Sequence, residues 1–129
     1  MILLDTCAII WAALEPNKLT PKAKKEIKRS ENELVICDIS IWEISMLINR
    51  KRLIVDESAS GFINLLIQSQ NYQVQQITPE IAELSVHFGA EINNDPADRL
   101  IAATSILRNM PIITADQNLR NATILETIW

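Results

Sequence analysis

Glycine, cysteine, histidine and aromatic residues are all scarce in this chain of 129 residues, which has 2 Gly, 2 Cys, 1 His, 3 Trp, 2 Phe and 1 Tyr. An average protein is about 7% glycine, so few loops here can need left-handed backbone, and we expect a mostly helical chain with short connections. A zinc site needs three or four clustered nitrogen or sulfur ligands, which this sequence does not offer. The lone His87 also disfavours a Ser-His-Asp hydrolase. We interpret Cys7 and Cys37 as buried small side chains rather than as a disulfide or a redox pair.

Long hydrophobic runs are absent as well. No stretch approaches the roughly 20 apolar residues that cross a bilayer, and the start Met1–Asp5 lacks the basic segment of a secretory signal. The composition, 48% apolar and 22% charged with a net charge of −4, is that of an ordinary globular protein. Without repeats or a Gly/Ser linker, we expect a single domain over residues 1–129, located in the cytoplasm.

Short apolar segments alternate with helical patterns along the chain. The predicted strands are Ile2–Leu4, Leu34–Cys37, Tyr72–Gln75 and Pro111–Thr114, with an edge strand within Ala122–Trp129. Helices are predicted to start at Thr20-Pro21, Ser40-Ile41, Thr78-Pro79 and Asp95-Pro96. This alternation predicts an α/β fold with a parallel sheet covered on both faces.

Four acidic residues, Asp5, Glu43, Asp98 and Asp116, follow these strands or lie in the first turns of the helices beyond them. In a right-handed parallel fold they converge at one edge of the sheet. Two unit charges about 4 Å apart repel by roughly 4 kcal/mol at an effective dielectric near 20, so four carboxylates in one cleft either take up protons or hold a cation. Oxygen ligands without sulfur or imidazole favour Mg2+ or Mn2+.

Three of these acids also have a structural interpretation as residues at helix N-termini. Ser40/Glu43 and Asp95/Asp98 have the spacing of capping boxes, and Asp116 is placed to cap a final short helix. Asp5 has no helix to cap in the usual register, so chemistry alone makes it the strongest candidate. The spacing by itself predicts a metal site and no more.

Four motifs stand in order over nearly the whole chain: Leu3-Leu4-Asp5-Thr6, Ile39-Ser40-Ile41-Trp42-Glu43-Ile44, Asp95-Pro96-Ala97-Asp98-Arg99-Leu100-Ile101-Ala102 and Ile113-Thr114-Ala115-Asp116. Together they resemble the PIN-domain family, and within it the VapC-type toxins of bacterial toxin–antitoxin pairs. The resemblance implies a three-layer α/β/α fold with a central parallel sheet. It also implies an endoribonuclease that depends on Mg2+, with Mn2+ as a substitute, and a homodimer that a cognate antitoxin neutralises.

The resemblance implies roles for six side chains: Asp5 and Asp98 as metal ligands, Glu43 and Asp116 as the acids that complete the pocket, and Thr6 and Thr114 as hydroxyls that orient a carboxylate or a phosphate oxygen. Ser40 is interpreted as the cap of the helix that carries Glu43. The chain departs from related sequences at Asn93-Asn94, where these often have histidine, and at Ala97, where they often have an aromatic residue. Both departures concern the pocket wall and remove no carboxylate.

Basic residues form two clusters that suit an RNA substrate. Half of the 12 Lys and Arg residues fall between Lys18 and Arg29, and Arg50–Arg52 is the second cluster. A basic flank beside an acidic metal pocket holds the phosphates of RNA, although an amphipathic helix also exposes charge without any such role. With so few aromatic residues, extensive base stacking is not expected.

Three other classes of protein share some of these features. A phospho-acceptor receiver domain has strand-end carboxylates, but it requires a lysine after the last strand, where this chain has Thr114-Ala115-Asp116. A phosphatase of the haloacid-dehalogenase kind requires an acid where Cys7 stands. An inactive PIN-like interaction protein is the third alternative, and retention of all four acids argues against it.

Overall fold

The structure is a computed structural model that describes residues 1–29 and 31–129. Its strands are β1 (Ile2–Leu4), β2 (Leu34–Cys37), β3 (Gln73–Gln75), β4 (Ile112–Ile113) and β5 (Thr127–Ile128). Its helices are α1 (Thr6–Leu14), α2 (Pro21–Lys28), α3 (Asp38–Asn49), α4 (Ala59–Gln70), α5 (Pro79–His87), α6 (Pro96–Arg108) and α7 (Gln117–Asn121), with a 3₁₀ turn at Pro16–Lys18. No helix in these two described ranges is both long and apolar enough to cross a membrane.

The strands form one parallel sheet in the order β3-β2-β1-β4-β5, which confirms the predicted α/β fold and the predicted edge strand near the end of the chain. β1 lies at the centre, where Leu4 pairs with Ile36 of β2 and with Ile113 of β4. All three side chains are fully buried. A parallel sheet whose central residues are this apolar must be covered on both faces.

Successive residues of β1 point into two different helix layers. Leu4 belongs to a core that includes Ile9 of α1 and Ile44 of α3. Leu3 belongs to a second core with Ile101 of α6. The sheet is therefore the middle layer of an α/β/α fold, as the resemblance implied.

The strand order reverses between β1 and β4. From β1 the chain proceeds to β2 and β3 on one side, and it returns through β4 and β5 on the other. In open parallel sheets, ligands bind beyond the carboxyl ends of the strands at such a reversal point. Asp5 directly follows β1 and Asp116 follows β4, so the topology directs both acids to this crevice.

The start of α3 differs from the prediction. The caps predicted before prolines are confirmed at Thr20, Thr78 and Asp95, each of which accepts a hydrogen bond from the backbone three residues on. Ser40, by contrast, does not cap its helix, because β2 continues directly into α3, which begins at Asp38 with Cys37 as the N-cap. Ser40 and Glu43 consequently lie inside the helix, and Glu43 is in its second turn rather than its first.

Left-handed backbone occurs without glycine. Lys51, Asn71 and Asn109 have φ between 52° and 57°, whereas neither glycine in the described residues has positive φ. Asn71 and Asn109 are the C-caps of α4 and α6. Asparagine tolerates this conformation better than other residues with a Cβ atom. The scarcity of glycine therefore predicted fewer left-handed positions than the chain has.

The Arg99 side chain fastens the segment that connects α5 to α6. Its Nε donates to the carbonyl oxygen of Asn93 at 2.9 Å, and its Nη1 donates to those of Ser85 at 2.9 Å and Phe88 at 3.1 Å. A guanidinium group has five N–H donors in a rigid fork and can satisfy several carbonyls at once. Arg99 thereby fixes the loop that leads to Asp98.

Replacing Arg99 tests this arrangement. We expect Arg99→Ala to lower the free energy of unfolding by about 2 kcal/mol, because hydrogen bonds from a charged donor are lost and buried carbonyls lose their partner. Arg99→Lys should recover only part of this, since an ammonium group lacks the fork. The measurement is urea unfolding, with Arg108→Ala on the same helix as the control at under about 0.5 kcal/mol. Equal losses in the Arg99 and Arg108 variants would contradict the interpretation.

Candidate active site

All four predicted acids line one cavity of about 380 Å³ at the carboxyl edge of the sheet. The remaining wall is formed by Thr6, Cys7, Trp11, Leu47 and Ala115. Of the six predicted site residues, Thr114 alone is absent from the wall. Thr114 is fully buried behind the cavity wall, where it donates a hydrogen bond to the Asp5 carboxylate.

Two of the acids are N-caps of helices that start at the cavity. Asp5 caps α1, where its Oδ1 accepts the backbone N–H of Ala8 at 2.8 Å. The prediction that Asp5 has no helix to cap was wrong, because α1 begins at Thr6 without an intervening loop. Asp116 caps α7 as predicted, and its Oδ1 accepts the N–H of Leu119 at 3.0 Å. Helix N-termini stabilise negative charge, so these positions partly offset the repulsion between the acids.

Asp98 is oriented by an asparagine that the sequence did not point to as an orienting residue. Asp95 caps α6 by accepting the N–H of Asp98 at 3.0 Å, as predicted. The return contact of a capping box is absent, because the N–H of Asp95 donates to Oδ1 of Asn93 at 2.8 Å instead. Nδ2 of Asn93 donates to Oδ2 of Asp98 at 2.9 Å, and its backbone N–H donates to Asn118. Asn93 therefore links three polar groups and holds the Asp98 carboxylate.

The two predicted threonines each donate to one acid. Thr114 Oγ1 donates to Oδ2 of Asp5 at 2.5 Å and accepts the backbone N–H of Asp116 at 3.0 Å. Thr6 Oγ1 donates to Oε1 of Glu43 at 2.5 Å and lies 2.9 Å from the hydroxyl of Ser40. Ser40 thus supports Thr6 rather than capping α3. Because Thr114 is fully buried, it orients a carboxylate and not a phosphate oxygen.

Burial and mutual repulsion both disfavour charge on the acids. Burial is the largest cause that raises the pKa of Asp5 to about 6; hydrogen bonds from Thr114 and Ala8 oppose it, and charges on Asp116 and Glu43 add to it. The pKa of Asp98 is likewise raised to about 6, first by burial, against the hydrogen bond from Asn93. Two carboxylates with raised pKa values in one cavity are a frequent signature of a functional site.

The negative charges of the acids also affect the pKa of the Cys7 thiol. Its pKa is raised to about 11, first by partial loss of hydration in the cavity wall and then by the charges of all four acids in turn. Both cysteines are free. Cys37 is buried as predicted, but Cys7 is exposed in the cavity wall, so its prediction was wrong. Cys7 lies in the first turn of α1, at the end of the helix that meets the cavity.

The donor set of the cavity fits a hard divalent cation held in part through water. Carboxylate and hydroxyl oxygens are the ligands that Mg2+ and Mn2+ prefer. Among the described residues, no three His, Cys, Asp or Glu side chains come together closely enough to hold an ion by themselves. Mg2+ in proteins is commonly bound by one or two carboxylates and keeps several water molecules. The acids of the cavity are suited to that mode of binding.

The predicted basic flank is realised only in part. Arg29 forms ion pairs with Glu26 and Glu31, and Lys24 and Lys28 line a different cavity. No Lys or Arg side chain belongs to the wall of the acidic cavity in the part of the chain that the structure describes. An anion in this cavity would therefore find positive charge mainly on a bound cation or on residues outside the wall.

The stability of the metal-free protein should fall as pH rises. Asp5 has a folded-state pKa of about 6 against an ordinary value of 3.8, so between these pH values the folded state binds more protons than the unfolded state. The stabilisation that this group provides at low pH is therefore lost as pH rises through 6. The loss is about 3 kcal/mol at most, at 1.36 kcal/mol per pKa unit. In EDTA, the unfolding free energy of Asp5→Asn minus that of wild type should increase between pH 4 and pH 7.5.

Urea unfolding at several pH values measures this difference. Asp56→Asn, which removes an exposed carboxylate outside the cavity, is the control for loss of one negative charge. A constant difference between Asp5→Asn and wild type across the pH range would show that Asp5 is not held in an environment that disfavours its charge.

The fold and the cavity together define a known class of domain. The sequence model of the PIN domain family matches residues 2–125, and the chain belongs to this family. The resemblance to VapC-type members is also confirmed. Ribonuclease VapC22 of Mycobacterium tuberculosis is 30% identical to this chain over 120 residues, which are 93% of this chain and 90% of that protein.

Solved structures show the same fold at lower identity. VapBC2 from Rickettsia felis, bound to a DNA fragment from its promoter, gives a TM-score of 0.73 at 15% identity, covering 98% of this chain and 97% of that one. A toxin–antitoxin complex from Klebsiella pneumoniae gives 0.67 at 20% identity, with 96% and 94% covered. FitAcB from Neisseria gonorrhoeae gives 0.68 at 18% identity, with 98% and 96% covered.

Proposed function

We propose that this protein is a Mg2+-dependent endoribonuclease, the toxin of a toxin–antitoxin pair, with Mn2+ as a substitute ion. The observation that carries the proposal is the convergence of Asp5, Glu43, Asp98 and Asp116 in one cavity at the reversal point of a parallel sheet. The similarity to a protein named a ribonuclease supports the RNA substrate. Because the chain belongs to the PIN family, it is not a receiver domain or a phosphatase of the haloacid-dehalogenase kind.

The residues of the cavity would have separate roles in phosphodiester hydrolysis. Asp5 and Asp98 would hold the metal ion, each with its carboxylate already oriented by hydrogen bonds from Thr114 and Asn93. When bound, the ion supplies a water molecule of lowered pKa and neutralises charge on the phosphate. Glu43 and Asp116 complete the acidic wall, where they can accept a proton from water.

Single carboxamide substitutions test the assignment of the acids. We expect Asp5→Asn and Asp98→Asn each to reduce RNA cleavage by roughly 100-fold or more, because the lost stabilisation of transition-state charge amounts to several kcal/mol. Cleavage of labelled single-stranded RNA in Mg2+ is the assay, with Asp56→Asn as the control that keeps wild-type activity. Undiminished cleavage by the folded Asp5/Asp98 double variant would overturn the proposal. Absence of cleavage by the wild type, with or without Mg2+, would favour the inactive PIN-like alternative.

Metal binding has a readout that does not depend on cleavage. Mg2+ at a hundredfold excess over its Kd should stabilise the folded wild type by about 2.7 kcal/mol, since the ion binds only the folded state. The unfolding temperature should rise by several degrees, and Asp98→Asn should weaken this shift. Protein from which EDTA has removed divalent cations is the reference state. An equal Mg2+ shift in wild type and Asp98→Asn would exclude Asp98 as a ligand.

The partner follows from the same proposal. One solved neighbour is a toxin–antitoxin complex, and we infer that this chain likewise binds a cognate antitoxin. The resemblance to VapC-type toxins further implies that the chain forms a homodimer. The neighbouring reading frame is the natural place to look for that antitoxin. Growth arrest on expression of this chain, relieved when the neighbour is expressed with it, is the outcome that the proposal requires.

A further inference from the structure

A tryptophan forms part of the wall of the acidic cavity. Trp11 lies on α1 four residues after Cys7, so both side chains are on the same face of the helix and both line the cavity. Its indole is partly buried against the core formed around Leu4. No other aromatic side chain of the described residues belongs to this wall.

Two neighbours hold the Trp11 ring in place. The ring of Trp129 packs against it with centroids 5.8 Å apart at an angle of 49°. The Nζ atom of Lys18 lies over the Trp11 ring, 5.7 Å from its centroid. The Trp11 side chain therefore contacts the acidic cavity, a second indole and a positive charge.

Lys18 is available to bind an anion. Its ion pair with Glu15 has a length of 3.0 Å, and the lysine and glutamate side chains are 53% and 52% exposed. Ion pairs with this exposure contribute little, so the ammonium group can exchange Glu15 for a phosphate at small cost. Since no basic side chain of the described residues lines the cavity itself, Lys18 supplies positive charge beside its wall.

We propose that Trp11 and Lys18 form a nucleotide-binding subsite beside the acidic cavity, in which the Lys18 ammonium group moves from the indole face to a phosphate and a base stacks on the face that it leaves. The inference rests on the proposed ribonuclease function and requires an unpaired base at this subsite, because a paired base cannot stack on a protein ring. Every base has a π face, so this subsite should tolerate different sequences.

Cleavage kinetics test the role of Trp11. Trp11→Leu should raise KM for a single-stranded oligoribonucleotide by roughly 5- to 150-fold, the range expected for one lost base stack, while kcat changes little. Trp11→Phe should recover much of the loss, because it keeps an aromatic face. Trp42→Leu is the matched control: Trp42 is 59% exposed on α3 and is not part of the cavity wall. Equal KM values for the Trp11→Leu and Trp42→Leu variants would overturn the subsite.

Lys18 provides an independent test in a side chain whose removal does not endanger folding. Lys18→Gln should weaken RNA binding and reduce the slope of log K against log salt by about 0.7, the value for one phosphate contact on a single strand. Lys22→Gln, an exposed lysine on α2, is the control. An unchanged salt slope in the Lys18 variant would contradict the phosphate contact.

Binding and cleavage must be measured separately, so that failure of the subsite is distinguishable from failure of the proposed function. Fluorescence anisotropy of labelled RNA with Asp98→Asn protein reports binding alone. If the added Trp11→Leu substitution weakens that binding although wild type cleaves no RNA, the subsite is supported and the nuclease proposal fails. If wild type cleaves RNA and Trp11→Leu changes neither KM nor binding, the nuclease proposal stands and the subsite is wrong.

Discussion

The parallel pairing of β1 with β4 is the contact on which the rest of the site depends. It joins Leu4 to Ile113 in register, and one residue further along each strand Thr114 donates a hydrogen bond to Asp5 across a sequence separation of 109 residues. The backbone N–H of Asp116 then donates to Thr114. Because this pair of strands is also where the strand order reverses, the same register that closes the sheet brings two acids to its ligand-binding edge.

The repulsion among the acids is opposed by backbone and hydroxyl donors. Asp5 and Asp116 each accept an N–H at the start of a helix, and Asp98 lies in the first turn of α6. Hydrogen bonds from Thr114 and Ala8 lower the pKa of Asp5, and one from Asn93 lowers the pKa of Asp98, but burial outweighs them and leaves both values at about 6. A protein that needed only stability would place apolar or neutral residues here. Natural proteins depart from such local rules chiefly at functional sites.

Local sequence signals were sufficient for the layers of the fold and for the convergence of the four acids at one edge of the sheet. Apolar runs such as Leu34–Cys37 predicted buried strands, and a capping residue before proline predicted three helix starts. Predictions failed where a strand continues directly into a helix. The start of α3 and the cap at Asp5 both result from the absence of a connecting loop between strand and helix, which no residue type indicates. Asn93 orients Asp98 through short-range contacts in the loop before α6, and no spacing rule singles out the residue that makes them. Trp11 follows Cys7 by one helical turn, so its place in the wall could be recognised only once α1 was known to begin at the cavity.

Capping and metal binding do not compete for the same carboxylates. An ionised carboxylate has two oxygens with about four lone-pair positions in total. At Asp5 the helix cap and Thr114 each occupy one position on different oxygens, and at Asp98 the hydrogen bond from Asn93 occupies one. Lone pairs remain on every acid, and the hydrogen bonds restrict the orientations that those lone pairs can take. The structural interpretation of these residues as helix caps, which first weighed against a metal site, is therefore compatible with the proposed binding of a cation by the same carboxylates.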